Sequence, residues 1–142
     1  MMSDLANNLT LKRALSPQAA RVDNTAIVSE ILDVRDFDGV MLAIQLGALT
    51  DSNATFVVLL EESDASNMAS ANAVADDDMN GTEVQAGFIF SDDDKCRKLG
   101  YHGNKRYIRA TITPSGNDAG NIFLAASWVC RPRRVPAENP PA

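Results

Sequence analysis

The sequence predicts an all-β protein, a jelly-roll-like antiparallel β-sandwich. Three observations lead to this fold class. Short apolar segments alternate with a period of two, turn residues separate them roughly every 10–15 residues, and no stretch shows the longer periodicity of an amphipathic helix. Most connecting turns are too short for crossovers between parallel strands, so we expect neighbouring strands to be antiparallel. A chain of 142 residues fits one domain.

The first half of the chain carries four of the eight predicted strands. They cover residues 9–15, 26–34, 40–46 and 54–61. Pro17 ends the first strand, and the second is irregular enough that a short helix capped by Asp23 or Asn24 stays open as an alternative. Turns rich in polar and small residues flank the third strand, at residues 36–39 and 47–53. The fourth has the strongest strand pattern, because β-branched and aromatic residues dominate it.

The second half carries the other four predicted strands. They cover residues 82–90, 95–99, 106–113 and 121–130. Residues 63–81, which precede them, lack periodicity and predict a long loop. Ile108, Ala110 and Ile112 should share the buried face of their strand. Trp128 lies on an apolar strand, which predicts a place in the core.

The two ends of the chain differ from its middle. We expect an N-terminal arm at residues 1–8, a β-sandwich domain at residues 9–130 and a proline-rich extended tail at residues 131–142. Such arms can wrap a neighbouring subunit, and disordered ends are at least as common.

Charge and hydropathy argue against nucleic acid and membranes as partners. The formal charge of -6 argues against nucleic acid as the main partner, because phosphate neutralisation needs a positive surface. Acidic clusters lie at residues 76–78 and 92–94, whereas the last third of the chain is basic. No apolar stretch is long enough for a membrane helix, and the first residues do not form a secretory signal. We therefore expect assembly in a cytoplasm, with no membrane partner.

The residues needed for catalysis or metal binding are not grouped in the sequence. His102 is the only histidine, and Cys96 and Cys130 lie far apart, so neither a nucleophile–base pair nor a zinc set forms. The two thiols should be reduced. Residues 76–81 match the first half of a calcium loop, but Gly87 stands where a bidentate Glu is required. We expect no enzyme activity, metal or cofactor.

The stretch GYHGNKRYIR at residues 100–109 combines a glycine turn with cations and aromatics. Such a mixture can bind phosphate or single-stranded nucleic acid, but the overall acidity favours protein contact, for which Arg and Tyr are enriched. The arginines of the tail suggest the same use. The predicted protein-contact residues are Tyr101, His102, Lys105, Arg106, Arg109, Arg131, Arg133 and Arg134.

Four segments in order carry a resemblance to a known family. They are DVRDFDGVMLAIQLG from residue 33, TFVVLLEESDAS from residue 55, GYHGNKRYIR from residue 100 and RPRRVP from residue 131. Together they resemble the cement, or decoration, proteins of tailed-bacteriophage heads, over residues 5–136. One departure is Asn67-Met68-Ala69, where these proteins often carry an aromatic residue.

The resemblance implies a jelly-roll-like sandwich without enzyme activity. It also implies a homodimer or homotrimer on the outside of the capsid that bridges subunits of the major capsid protein. We therefore expect a virion structural protein, assembled in the host cytoplasm. The alternatives are a host-receptor or carbohydrate-binding β-sandwich, and a head–tail connector or tail subunit.

Overall fold

Two antiparallel β-sheets pack face to face in the computed structural model, which describes residues 1–141. The strands are β1 (Thr10–Leu15), β2 (Ile27–Val28), β3 (Leu32–Asp33), β4 (Phe37–Leu49), β5 (Thr55–Ser63), β6 (Asn72–Ala73), β7 (Met79–Asn80), β8 (Phe88–Ile89), β9 (Cys96–Tyr101), β10 (Tyr107–Ser115) and β11 (Ile122–Pro132). The short helix α1 (Glu83–Ala86) and two 3₁₀ turns, Asp76–Asp78 and Phe90–Asp92, complete the regular structure of the described residues.

The chain alternates between the two sheets. One sheet has five strands in the order β1-β11-β4-β9-β7. The six-stranded sheet has the order β2-β10-β5-β6, with β3 also paired to β10 and β8 to β5. Because β4 and β5, β9 and β10, and β10 and β11 lie in opposite sheets, the connections run over the edges of the sandwich. The predicted jelly-roll-like β-sandwich is confirmed.

The core lies between the sheets, where the predicted alternation places it. Ile108, Ala110 and Ile112 are buried on β10, facing Leu42 of the other sheet, and Trp128 is 1% exposed. The β-branched and aromatic residues of β5 contribute in the same way, at alternate positions. Burying apolar side chains on one face of each sheet is the main favourable contribution to folding.

The strand predicted at residues 82–90 is wrong. Thr82 caps α1 by accepting a hydrogen bond from the Gln85 backbone N–H, while the Gln85 side chain accepts one from the Thr82 N–H. This reciprocal capping box stabilises one helical turn, and it outweighs a period-two pattern that short segments satisfy easily. The remainder of the segment forms β8, where Phe88 stacks on Phe56 with ring centroids 4.6 Å apart.

Several strand limits also differ from the prediction. The turn predicted at residues 36–39 is instead the start of β4, where Gly39 pairs with Arg131 of β11. Residues 26–34 form two short strands on β10 rather than a helix, because the side chain of Ser29 replaces a strand partner and accepts a hydrogen bond from Ala110 N–H. The long loop predicted at residues 63–81 contains the short strands β6 and β7 and a 3₁₀ turn.

The terminal segments contact each other. Strand β11 continues to Pro132, which a register shift after Arg131 accommodates at the end of the ladder. Beyond it, the backbone N–H of the buried Ala137 donates to the Asn7 carbonyl at 2.6 Å. Ala142, the last residue of the predicted tail, lies outside the described residues. Among the helices in residues 1–141, none has the length and hydropathy needed to span a membrane.

Candidate protein-contact site

A groove of about 1080 Å³ lies over one end of the five-stranded sheet. It brings together the glycine turn after β9 and the start of the tail, two segments that are separate in the sequence. We call it the cationic groove. Its floor is apolar and includes Phe37, Met41 and Val129. Its charged lining residues are Arg35, Asp38, Lys98, Lys105, Arg106, Arg131 and Arg133.

Two glycines give the groove its shape. A Cβ at Gly100, which pairs with Met41, would lie 2.8 Å from the Cβ of Asn80, so the strands could not approach as closely. A Cβ at Gly103 would lie 2.7 Å from the ring of Tyr101. The turn therefore folds back over Tyr101 because glycine stands at this position.

Tyr101 is buried beneath this turn and holds it in place. Its hydroxyl donates to Glu62 Oε2 at 2.8 Å and accepts from the Lys105 backbone N–H at 3.0 Å. Burial raises the pKa of this phenol above its usual value, and the hydrogen bond to Glu62 raises it further. With 5% of its surface exposed, Tyr101 positions the turn rather than offering its ring to a partner.

Three of the predicted contact cations form ion pairs at the groove. Lys105 Nζ lies 2.6 Å from Asp64, and Arg131 Nε lies 2.6 Å from Asp38. The side-chain hydrogen bonds from these cations lower the pKa of both carboxyl groups. Each exposed pair contributes little to folding, since water screens its charges.

The third of these cations, Arg106, grips Asp33 with two nitrogens. Arg106 Nη2 lies 2.9 Å from Asp33 Oδ2, and Arg106 Nε lies 3.2 Å from Oδ1. This hydrogen bonding lowers the pKa of Asp33. The guanidinium carbon also lies 5.0 Å from the centre of the Tyr107 ring, within range of a cation–π contact. Arg106 therefore fixes the start of β10 against β3.

Two groove cations have no carboxylate within 4 Å in residues 1–141. Lys98 is exposed on the outward face of β9. Arg133 is also exposed, and its Nε donates to the neutral carbonyl of Arg35 at 3.2 Å. These two cations are therefore free to pair with a ligand. Arg133 is one of the predicted contact residues, whereas Lys98 is not, because only the pairing of β9 with β4 brings Lys98 to the groove.

The other three predicted contact residues lie at different places relative to the groove. His102 is exposed at the groove, and its backbone N–H donates to the Asp78 carbonyl at 2.9 Å. Arg134 is exposed beside the groove but does not line it. Arg109 lies elsewhere, on the outer face of the six-stranded sheet, where its Nη2 lies 2.7 Å from Glu61 on β5.

The two acidic clusters have structural surroundings rather than metal-site geometry. Asp92 accepts the Ile89 backbone N–H at 3.0 Å and lies 2.9 Å from both Lys95 and Arg97. The Ile89 hydrogen bond, followed by the bond from Lys95, lowers the pKa of Asp92 to about 2. Residues 76–78 form a 3₁₀ turn. Within residues 1–141, no three His, Cys, Asp or Glu side chains are grouped to hold a metal ion.

The two cysteines are unbridged, as predicted. Cys96 is exposed on β9, whereas Cys130 is buried on β11. Burial raises the pKa of the Cys130 thiol to about 12. Cys130 therefore packs as a small apolar side chain.

Comparison with known proteins gives likenesses of fold. No protein-family model matches the chain, and no curated protein matches it with significant sequence similarity. Among solved structures, the PBSX exported protein XepA aligns with 97% of this chain at 12% identity and a TM-score of 0.54. The chain spans 42% of the length of that protein.

Two carbohydrate-binding modules have lower structural similarity to this chain. The xylan-binding module CBM15 aligns over 91% of this chain and 94% of its own length, at 12% identity and a TM-score of 0.43. The C-terminal family 22 module of Clostridium thermocellum Xyn10B aligns over 92% of this chain and 98% of its own, at 11% identity and a TM-score of 0.40. At such identities a likeness to a solved structure concerns the fold, and the fold does not determine the function.

Proposed function

We propose that this protein is a non-enzymatic virion structural protein, a cement protein of a bacteriophage. It binds the outside of the capsid and stabilises the contacts between major capsid subunits. The phage assignment comes from the sequence resemblance over residues 5–136. The structural observation that carries the proposal is the uncovered outer face of the five-stranded sheet, next to the cationic groove.

One row of this outer face is apolar across three strands. Leu11, Val129 and Met41 are cross-strand neighbours on β1, β11 and β4, and Leu11 is 51% exposed. The next row of the same face carries the small side chains of Ser127 and Ala43, with Arg13 of β1 and Lys98 of β9 at its two ends. A flat apolar area bordered by cations is typical of a protein-contact surface.

Repetition makes such a surface effective on a capsid. Each copy contributes a modest contact energy, and many copies on one shell add these contributions without any catalytic step. We propose the major capsid protein and further copies of this chain, as a homodimer or homotrimer, as its partners, and assembly in the host cytoplasm. Nucleic acid and membranes are not among the proposed partners.

The tryptophan and the two tyrosines do not favour the carbohydrate-binding alternative. Sugar sites use exposed Trp or Tyr rings as platforms, but Trp128 and Tyr101 are buried. Tyr107 is half-buried, and the guanidinium of Arg106 lies over its ring. The aromatic side chains that are exposed among the described residues are Phe90 and Phe123, at 39% and 44%, and neither lines the cationic groove.

The test uses virions of the phage whose genome encodes the chain. Gradient-purified heads should contain the protein, and cryo-electron microscopy should place it on the outer surface of the capsid. A density confined to the head–tail junction would support a connector instead. Absence from the particles, together with specific binding on a glycan array, would support the carbohydrate-binding alternative.

A pair of variants tests the outer face. Ala43→Arg places a bulky charge in the row next to Leu11, Val129 and Met41, and it should reduce occupancy on protein-deficient heads at least about tenfold. Thr113→Arg makes the same kind of change on the outer face of the six-stranded sheet, and it should leave occupancy unchanged. Equal occupancy of both variants would contradict the proposed face.

A further inference from the structure

We propose that the cationic groove binds an extended acidic segment of the partner protein. In this complex, carboxylates of the segment pair with Lys98 and Arg133, and its apolar side chains lie on Met41 and Val129. The inference deepens the proposed function by naming the chemistry of the bound segment, and it rests on that function for the identity of the partner.

The charge of the groove is opposite to that of the molecule. Within residues 1–141, six cationic side chains line it, and Asp38 is the one carboxylate that does. The whole chain carries a formal charge of -6. A local positive surface on an acidic protein attracts acidic partners and repels other copies of the same surface.

The paired and unpaired cations have different roles. Arg35, Lys105, Arg106 and Arg131 each lie within 4 Å of a carboxylate of this chain. Lys98 lies on β9, and Arg133 follows β11, so the two strands next to β4 on either side place the two unpaired charges around the floor. Lys98 and Arg133 form no ion pair within 4 Å in residues 1–141, so a ligand with carboxylates can form ion pairs with both.

The shape and polarity of the floor favour an extended segment. Met41 and Val129 are neighbours on β4 and β11, half-buried, and they form an apolar strip between the cations. Side chains of an extended chain point alternately to opposite sides. A segment that alternates acidic and apolar residues can thus place its apolar side chains on Met41 and Val129. Its carboxylates then lie on the opposite side of the segment, where the long exposed side chains of Lys98 and Arg133 can pair with them.

Two other occupants fit the groove less well. Single-stranded nucleic acid needs exposed aromatic rings for stacking, and Tyr101 is buried beneath the turn. A second copy related by a twofold axis would place this positive surface against the same positive surface of the other copy. Like charges at such short range are destabilising, so self-association through the groove is disfavoured.

The test uses a fluorescein-labelled synthetic peptide that alternates Glu or Asp with Val or Leu, and a matched peptide with Gln and Asn at the acidic positions. Fluorescence anisotropy measures binding to the full chain at physiological ionic strength. We expect the acidic peptide to bind at least about tenfold more tightly than its amide counterpart. Equal binding of the two peptides would overturn the proposal.

Charge-reversal variants locate the site. Lys98→Glu and Arg133→Glu should each weaken binding of the acidic peptide about tenfold or more. Arg21→Glu makes the same change in net charge away from the groove, and it should bind like the unaltered protein. Matching melting temperatures show that the variants are folded. Equal affinities for all three variants would place the peptide elsewhere and contradict the proposal.

The alternative occupants give different results. A labelled oligothymidylate that binds with equal affinity and loses binding in Lys98→Glu would assign the groove to nucleic acid. A dimer in sedimentation that Lys98→Glu dissociates would assign the groove to self-association. Either result would overturn the proposal.

The groove and the cement function can fail separately. Peptide binding by a protein that is absent from virions would refute the cement function alone. Occupancy on heads that survives Lys98→Glu and Arg133→Glu would refute the groove alone.

Discussion

Single carboxylates hold the loops of this protein by accepting backbone hydrogen bonds. Asp51 accepts from the N–H groups of Asn53, Asp118 and Ala119, and Asp93 accepts from that of Leu49. The hydrogen bonds from the Asn53 and Ala119 backbone lower the pKa of Asp51. The acidic composition, which by itself suggests solubility, therefore also serves loop structure.

Replacing Asp92 with Asn should destabilise the fold by about 1–2 kcal/mol at neutral pH, because the charge that holds Ile89, Lys95 and Arg97 is lost. The folded-state pKa of Asp92 is about 2, below its usual 3.8. Its contribution is thus complete above pH 3.8 and is lost as pH falls toward 2. Urea unfolding of both proteins across this range measures the difference.

Asp77→Asn is the matched control, since Asp77 is an exposed carboxylate in a 3₁₀ turn. Its unfolding free energy should stay close to that of the unaltered protein. A stability difference for Asp92→Asn that does not shrink between pH 3.8 and about 2 would contradict the assigned role of the charge.

Tyr101→Phe should destabilise the protein by about 1–2 kcal/mol, because Glu62 loses a donor and the Lys105 N–H loses its acceptor. The protein has two tyrosines. Because the pKa of Tyr101 is raised, its phenolate absorbance should appear late in an alkaline titration. The late step should be missing in Tyr101→Phe and present in Tyr107→Phe. A late step that persists in Tyr101→Phe would refute the assignment.

At the scale of elements, the outer edge of β5 is covered by several short pieces instead of one long strand. Strand β8 pairs with its start and β6 with its end. Between them, the Glu83 side chain of α1 accepts the Leu60 N–H at 2.7 Å, and the Val74 N–H donates to the Leu60 carbonyl at 2.9 Å. A helical turn thus satisfies part of a sheet edge that would otherwise be exposed to pairing with other chains.

Glu83→Ala should leave the Leu60 N–H without its partner and cost about 1–3 kcal/mol. Glu83→Gln keeps an acceptor oxygen and should cost less. Hydrogen exchange of the Leu60 amide, followed by NMR, should become faster in Glu83→Ala than in Glu83→Gln. Equal protection in the two variants would show that α1 does not complete this edge.

At the scale of the whole molecule, the two sheets share one core and should unfold together. Leu42 and Leu60 lie in opposite sheets and are each fully buried. Trp128, the single tryptophan, lies between the sheets, and its fluorescence reports on the whole core. The fluorescence of Trp128 should therefore report the unfolding of both sheets.

Leu42→Ala and Leu60→Ala should each reduce the free energy of unfolding by about 2–5 kcal/mol, because each leaves a cavity in the core. Fluorescence and circular dichroism transitions should coincide in both variants. Val57→Ala, at an exposed position of β5, is the control and should have a small effect. A Trp128 transition that shifts in one variant alone would indicate that the sheets unfold separately.

Local patterns predicted much of the fold and less of the site. The alternation of residues 106–113 and 121–130 identified β10, β11 and their buried faces correctly, because period-two burial is a local property. The period-two pattern at residues 82–90 predicted a strand wrongly, because a capping box stabilises a helical turn there. Lys98 and Val129 were not predicted to line the groove, because the pairing of β9 and β11 with β4 brings them to one surface.

The sequence by itself determined that this chain forms a two-layer β protein, because alternation, turns and the lack of long helical periodicity are encoded within short segments. The tertiary structure decided which cations meet, which are neutralised by carboxylates, and which face stays uncovered. These properties depend on contacts between residues far apart in the chain, such as Arg131 with Asp38 and Tyr101 with Glu62. Strand order and register set such contacts, and neither can be read from local patterns.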